Sequence, residues 1–141
     1  QQRTLGFQDA MATAGAKVVS VQSGQWEIAP ANTVAAAMLN ANPNITAILA
    51  GNDNMAIGAV SAIKAAGKTG KVKVVGYDNI NAIKPMLADG RVLATADQFG
   101  SQQAVFGIEA VLKAIAEKKK QADLGGTIET KVELVAKGAK S

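Results

Sequence analysis

The stretch "NPNITAILAGNDNMAIGAVSAIKAAGK", Asn42–Lys68, decides the fold. Asn42-Pro43-Asn44 ends whatever helix precedes it, and Ile45 to Ala50 is a short apolar run that reads as a buried strand. Gly51-Asn52-Asp53 turns the chain, and Asp53 is placed to cap the next helix. Met55, Ala56, Ala59, Val60 and Ile63 then recur at helical spacing, and Gly67 supplies the stop. A buried strand feeding an amphipathic helix through a tight polar turn is the repeating unit of a parallel α/β sheet.

The flanking sequence repeats the alternation. Downstream, "VKVVGYD" predicts a strand from Val72 to Gly76. A shorter helix follows over about Asn81 to Ala88, with Pro85 in or near its first turn. "RVLATADQ", Arg91–Gln98, predicts another strand. The long helix from about Ser101 to Lys118 carries the stripe Val105, Ile108, Leu112 and Ile115. Upstream, Phe7, Ala10, Met11 and Ala14 share one helical face that stops at Gly15, and Ala16 to Gln22 predicts a strand. A helix follows Pro30, with Val34, Ala37, Met38 and Ala41 on its apolar side.

Such alternation implies parallel strands joined by right-handed crossovers. The last predicted strand, "TIETKVEL", differs: Ile128, Thr130, Val132 and Leu134 alternate with charged residues, as at a sheet margin. The sequence opens on a helix, whereas this architecture begins with a central strand. The expectation is that the first strand comes from elsewhere, as part of a longer chain.

Composition narrows the chemistry. The 141 residues hold neither cysteine nor histidine, which removes thiol nucleophiles, imidazole bases, disulfides and nearly all transition-metal sites. Hydrophobic residues make up 48% of the chain but aromatics only 4%, so aliphatic side chains must build the core. No apolar run is long enough to span a membrane, and the opening "QQRTLGF" is polar and basic rather than leader-like. The formal charge of +4 is mostly scattered. Its one tight run, Lys118 to Lys120, reads as a solvated helix end rather than a nucleic-acid contact. No G-x-G-x-x-G follows a predicted strand, which argues against a dinucleotide enzyme.

In open parallel sheets ligands bind beyond the carboxyl ends of the strands. Here those ends lead into Trp26, Asn52, Asp78 and Gln98, with Arg3 entering from the first helix. Each residue has a plainer reading. Asn52 and Asp78 suit turns or caps, Arg3 suits a surface charge, and Trp26 suits packing on its own domain. Their common position suggests a monosaccharide site instead. An aromatic plane covers a sugar's C–H face, while carboxylate and guanidinium groups each span neighbouring hydroxyls.

With "RTLGF", "QSGQWE", "NPNITAILAGNDNMAIGAVSAIKAAGK", "VKVVGYD" and "LATADQ" in this order, the chain resembles the periplasmic sugar-binding proteins of bacterial ABC transporters. It resembles the ribose-binding group in particular, and the likeness is to the C-terminal half of such a protein. The resemblance implies a three-layer, Rossmann-like type I lobe, incomplete without its N-terminal part. It implies sugar-binding roles for Arg3, Trp26, Asn52, Asp78 and Gln98, with no catalytic residues, cofactor or metal. Tryptophan at position 26, where ribose binders commonly carry phenylalanine, leaves room for a larger pyranose.

The resemblance also divides the chain. Residues 1–98 correspond to the sugar-binding lobe without its first strand, and residues 99–125 to a hinge crossing and a helix of the other lobe. Residues 126–141 correspond to a return strand and tail. The implied function is transport binding in the periplasm, delivering a pentose or hexose to ABC permease subunits, with no enzymatic step. The implied partners are the sugar, the missing N-terminal lobe and the permease, without nucleic acid or membrane insertion. Two alternatives share the architecture. The effector core of a lactose-repressor-type regulator would need an N-terminal helix-turn-helix, and a phosphorelay receiver would need clustered acids after its first strand.

Overall fold

The computed structural model describes residues 2–123, 125–127 and 129–137. Among these residues five α-helices, α1 (Gln2–Thr13), α2 (Ile28–Ala41), α3 (Asp53–Ala65), α4 (Lys84–Asp89) and α5 (Gly100–Ala116), are joined by four strands that alternate with the helices from α2 onward. The strands are β1 (Ala47–Leu49), β2 (Lys73–Tyr77), β3 (Ala94–Asp97) and β4 (Glu133–Ala136). They form one sheet in the order β1-β2-β3-β4. β1, β2 and β3 run parallel, and β4 pairs antiparallel with β3. The predicted α/β class with a mostly parallel sheet is what the chain forms.

Helix ends obey their local chemistry. Gly15 and Gly67 take left-handed backbone just beyond α1 and α3, where an L side chain would be strained. The amides that follow them, of Ala16 and Lys68, return to the carbonyls of Met11 and Ile63. α2 begins two residues before Pro30 rather than after it, since proline is tolerated in a first turn whose N–H groups have no intrahelical acceptor. A 3-10 turn at Asn81–Ile83 precedes α4, whose first turn takes Pro85.

The core lies between α2, α3 and one face of the sheet. Ala31, Ala35 and Leu39 of α2 meet Ala56, Ala59, Val60 and Ile63 of α3, over Val74 of β2 and Val92 before β3. Close approach of the two helices depends on Gly58. A Cβ there would run into the Ile28 carbonyl and lie 2.9 Å from the Asn32 amide nitrogen. β2 shows the sidedness of the sheet, with Val74 and Gly76 buried against α3 while Lys73 is exposed and Val75 and Tyr77 are half-buried.

Three expectations fail, two of them for one physical reason. Ala16–Gln22 is extended but joins no ladder, and Val18, Val19 and Val21 remain exposed. The face of α2 nominated by Val34, Ala37, Met38 and Ala41 is not its buried face. Val34 and Met38 line an apolar groove of about 740 Å³ between α1, the extended segment, α2 and the outer edge of β1. A strand cannot form without a neighbour, and the space where that neighbour would lie is the groove. At the other end, β4 is shorter than predicted and lies further along the chain, and among the described residues neither set of the predicted alternation is buried. Val132 and Leu134 are exposed, whereas Val135 packs on the core, and Ile128 lies outside the described residues.

Candidate polar site at the strand ends

The three parallel strands deliver their polar residues to one rim. β1 runs into Gly51 and Asn52, β2 ends at Tyr77 and Asp78, and β3 ends at Asp97 and Gln98. Arg3, in the first turn of α1, reaches across all three. Its Nη1 donates to the Gly51 carbonyl at 2.8 Å and its Nη2 to Gln98 Oε1 at 3.2 Å. Nη2 also lies 3.3 Å from Asp78 Oδ1, which accepts a further bond from Gln98 Nε2 at 2.8 Å. Arginine, carboxylate and amide thus form a closed triangle.

Tyr77 completes this arrangement and was not singled out in the sequence. Its ring centroid lies 3.9 Å from the Arg3 guanidinium carbon, and the Trp26 ring lies on the same cation at 5.8 Å. Stacking fixes the plane of the guanidinium and leaves its edge to make hydrogen bonds. The available signal was the tyrosine directly before Asp78 in "GYD".

Trp26 sits in a loop held by unusual backbone. Gln25 and Trp26 both have positive φ, 54° and 64°, and neither is glycine. Asn52 Nδ2 donates to the Trp26 carbonyl at 3.1 Å. Gly51 leaves space for the indole, since a Cβ there would lie 3.3 Å from its ring edge. The ring is 54% exposed, which leaves a broad apolar face open beside the Arg3–Asp78 pair.

The cap expected of Asp53 falls to Asn52, in keeping with the plainer reading of that asparagine. Asn52 is the cap of α3, accepting the Met55 amide at 2.9 Å. Asp53 is the first helical residue, fully buried, and its carboxylate turns away from the cap position. It accepts from the Thr95 hydroxyl at 2.7 Å and from the Ile80 amide at 2.9 Å. An asparagine oxygen caps as well as a carboxylate does, so the order of Asn52 and Asp53 alone could not settle which residue takes the role.

Burial sets the electrostatics. Desolvation pushes Asp53 above the ordinary aspartate value of 3.8, against the lowering pull of the Thr95 and Ile80 hydrogen bonds. Asp78 is also raised, because desolvation outweighs the charge and hydrogen bonding of Arg3 beside it.

The apolar groove is not the polar site. Phe7, Met11, Val34, Met38 and Leu49 line it, and a sugar placed there would lose its water-facing hydrogen bonds to greasy walls. The rim above it carries the donors and acceptors.

A cation, a carboxylate, amides and an open indole lie on the carboxyl rim of a parallel sheet, the place where folds of the open α/β class take their ligands. The model of the periplasmic binding protein domain matches residues 1–120, and the chain belongs to that family. It is 64% identical over 135 residues to a D-ribose/D-allose-binding protein of Pseudomonas aeruginosa, a match covering 96% of this chain and 42% of that protein. Among solved structures, an ABC transporter solute-binding protein from Burkholderia multivorans superposes with a TM-score of 0.93 at 71% identity. That match covers 96% of this chain and 47% of the other. A periplasmic solute-binding protein from Actinobacillus succinogenes with bound D-allose gives a TM-score of 0.78 at 40% identity, covering 86% of this chain and 42% of its own. The chain therefore spans less than half the length of these relatives.

Proposed function

We propose that this chain carries one half of the binding site of a periplasmic sugar-binding protein serving an ABC transporter, and that its ligand is a monosaccharide. The observation carrying this reading is the Arg3–Asp78–Gln98 triangle beside the open face of Trp26. Arg3 and Asp78 are the clamp for adjacent hydroxyls, one donating and the other accepting. Gln98 adds an amide, and Asn52 offers the second hydrogen of its Nδ2. Trp26 stacks on the sugar's C–H face. The proteins of similar sequence and fold that are named for ribose and allose, or hold allose, support this substrate class.

The site binds its ligand without transforming it. The clamp carboxylate does its work ionised, paired with the Arg3 guanidinium.

The rest of the site comes from polypeptide beyond these residues. Along α5, Val105, Ile108, Leu112 and Ile115 are between 51% and 68% exposed, an apolar stripe that water disfavours. That stripe belongs to a second lobe, with residues 99–125 crossing to it and residues 126–141 returning. The groove beside β1 accepts a further parallel strand, which gives Ala16–Gln22 the ladder partner it lacks. Sugar held between two lobes favours the closed form because only that form contacts it from both sides. The closed form then docks on the permease. Calorimetric titration of the full-length protein with monosaccharides tests the proposal; a tight, saturable response to one of them is expected.

A further inference from the structure

Asp53 is fully buried, and no cation reaches its carboxylate among the described residues. A buried charge of this kind is costly unless dipoles hold it. Two dipoles hold it, the Thr95 hydroxyl on β3 and the Ile80 amide just past β2, while Asp53 itself sits at the start of α3 just past β1. The carboxylate therefore ties together the ends of all three parallel strands behind the polar rim. Gly76 is part of the same device, because a Cβ there would be driven into Asp53 Oδ1.

The tie holds the segment that needs holding. Between β2 and Ile80 lie Asp78 and Asn79, both with positive φ, 108° and 52°. Consecutive non-glycine residues in that region are strained and persist only where neighbours over-determine them. The Asp78 amide is held by the Ala96 carbonyl at 2.7 Å, and the Asn79 amide faces Thr95 Oγ1 at 3.4 Å. The Ile80 amide is then pinned by Asp53. Asp53 and Thr95 thus act on both sides of the turn, and the turn aims the Asp78 carboxylate at Arg3.

We propose that Asp53 is a positioning residue for sugar recognition, its buried carboxylate fixing the strained turn that presents Asp78 to the ligand. This rests on the reading of Asp78 as a sugar clamp. Asp53 does not touch the sugar; it acts through Asp78, with the Thr95 hydroxyl as its second anchor.

The test uses the full-length protein, titrated with D-ribose and D-allose at a temperature where every variant is folded. Asp53→Asn is expected to weaken binding about tenfold or more, and to weaken it less than about twofold in an Asp78→Asn background, since coupled residues are non-additive. Thr95→Val is expected to weaken binding, while Thr95→Ser, which keeps the hydroxyl, restores it. The threonine pair decides the matter even if Asp53→Asn does not fold. Wild-type affinity in Asp53→Asn, equal losses in both backgrounds, or equal affinity for Thr95→Val and Thr95→Ser would each overturn the proposal. Amide exchange gives an arm independent of sugar. The Ile80 and Asp78 amides should lose protection in Thr95→Val while amides of β1 keep theirs, and unchanged protection at both contradicts the role. A wild-type protein that binds neither sugar nor any other monosaccharide defeats the sugar reading, and the exchange arm still decides whether Asp53 and Thr95 hold the turn.

Discussion

Arg3 Nη2 lies 3.3 Å from Asp78 Oδ1, joining the first turn of α1 to the turn beyond β2. The two side chains meet directly, with Tyr77 stacked under the guanidinium. A preorganised clamp spends little ordering entropy on binding. Replacing Arg3 by methionine keeps much of the packing and removes the charge-assisted bonds. The expected cost is about 1.5–3 kcal/mol, or roughly ten- to a hundredfold in sugar affinity. Arg3→Lys keeps the charge yet should recover only part of this, because an ammonium lacks the planar fork. Calorimetry on the three proteins checks the order.

Binding should fail in acid earlier than an ordinary aspartate would dictate. The clamp requires Asp78 ionised, and burial raises its pKa above 3.8 despite Arg3. Affinity is then full above that raised value and is lost as pH falls through it. Asp78→Asn should be weaker throughout and lack this acid limb. For folding the sign is opposite. Asp53 and Asp78 hold their protons more tightly folded than unfolded, so stability falls as pH rises from 3.8 through their raised values. Thermal melts of Asp53→Asn against wild type, from acid to neutral pH, should show the variant lacking part of that decline.

Trp26 is the chain's one tryptophan, which makes it a reporter as well as a contact. Its half-exposed ring should emit like a hydrated indole and shift to shorter wavelength as sugar covers it. Trp26→Ala should lose about 1–3 kcal/mol of binding free energy, the scale of one covered aromatic face. An unshifted emission at saturating sugar would place the ring outside the contact.

The helix pair that supports the rim has a sharp steric requirement. Gly58→Ala pushes a methyl into the Ile28 carbonyl and the Asn32 amide, which are backbone and cannot swing aside. Overpacking of this kind costs about 1–3 kcal/mol. Leu39→Ala, which empties a fully enclosed position between the same helices, should cost about 2–5 kcal/mol. Chemical denaturation measures both.

The sequence was most legible where local chemistry decides the structure. The strand–turn–helix unit of Asn42–Lys68 formed as its periodicity implies, with β1 somewhat shorter than its apolar run. The rim positions of Asn52, Asp78 and Gln98 were legible too, because parallel strands deliver their ends to one side, and Arg3 and Trp26 reach the same rim from α1 and from the loop before α2. What could not be read depended on partners distant in sequence. Ala16–Gln22 has strand composition but no neighbour to pair with. Asp53 and Asn52 are interchangeable as caps until Thr95 and Ile80 are placed against one of them. Tyr77 gains its role only once Arg3 lies on its ring. The C-terminal alternation misplaced the last strand, since a period of two does not say which residues the neighbouring β3 will pair.

The central claim is that the Arg3–Asp78–Gln98 triangle and Trp26 form half of a monosaccharide site. Isothermal titration of the full-length protein against a panel of pentoses and hexoses, D-ribose and D-allose included, tests it most directly. The account predicts saturable one-to-one binding of at least one of these sugars, weakened by Arg3→Met and by Trp26→Ala. Absence of heat with every sugar in the panel, from protein shown to be folded, would contradict it.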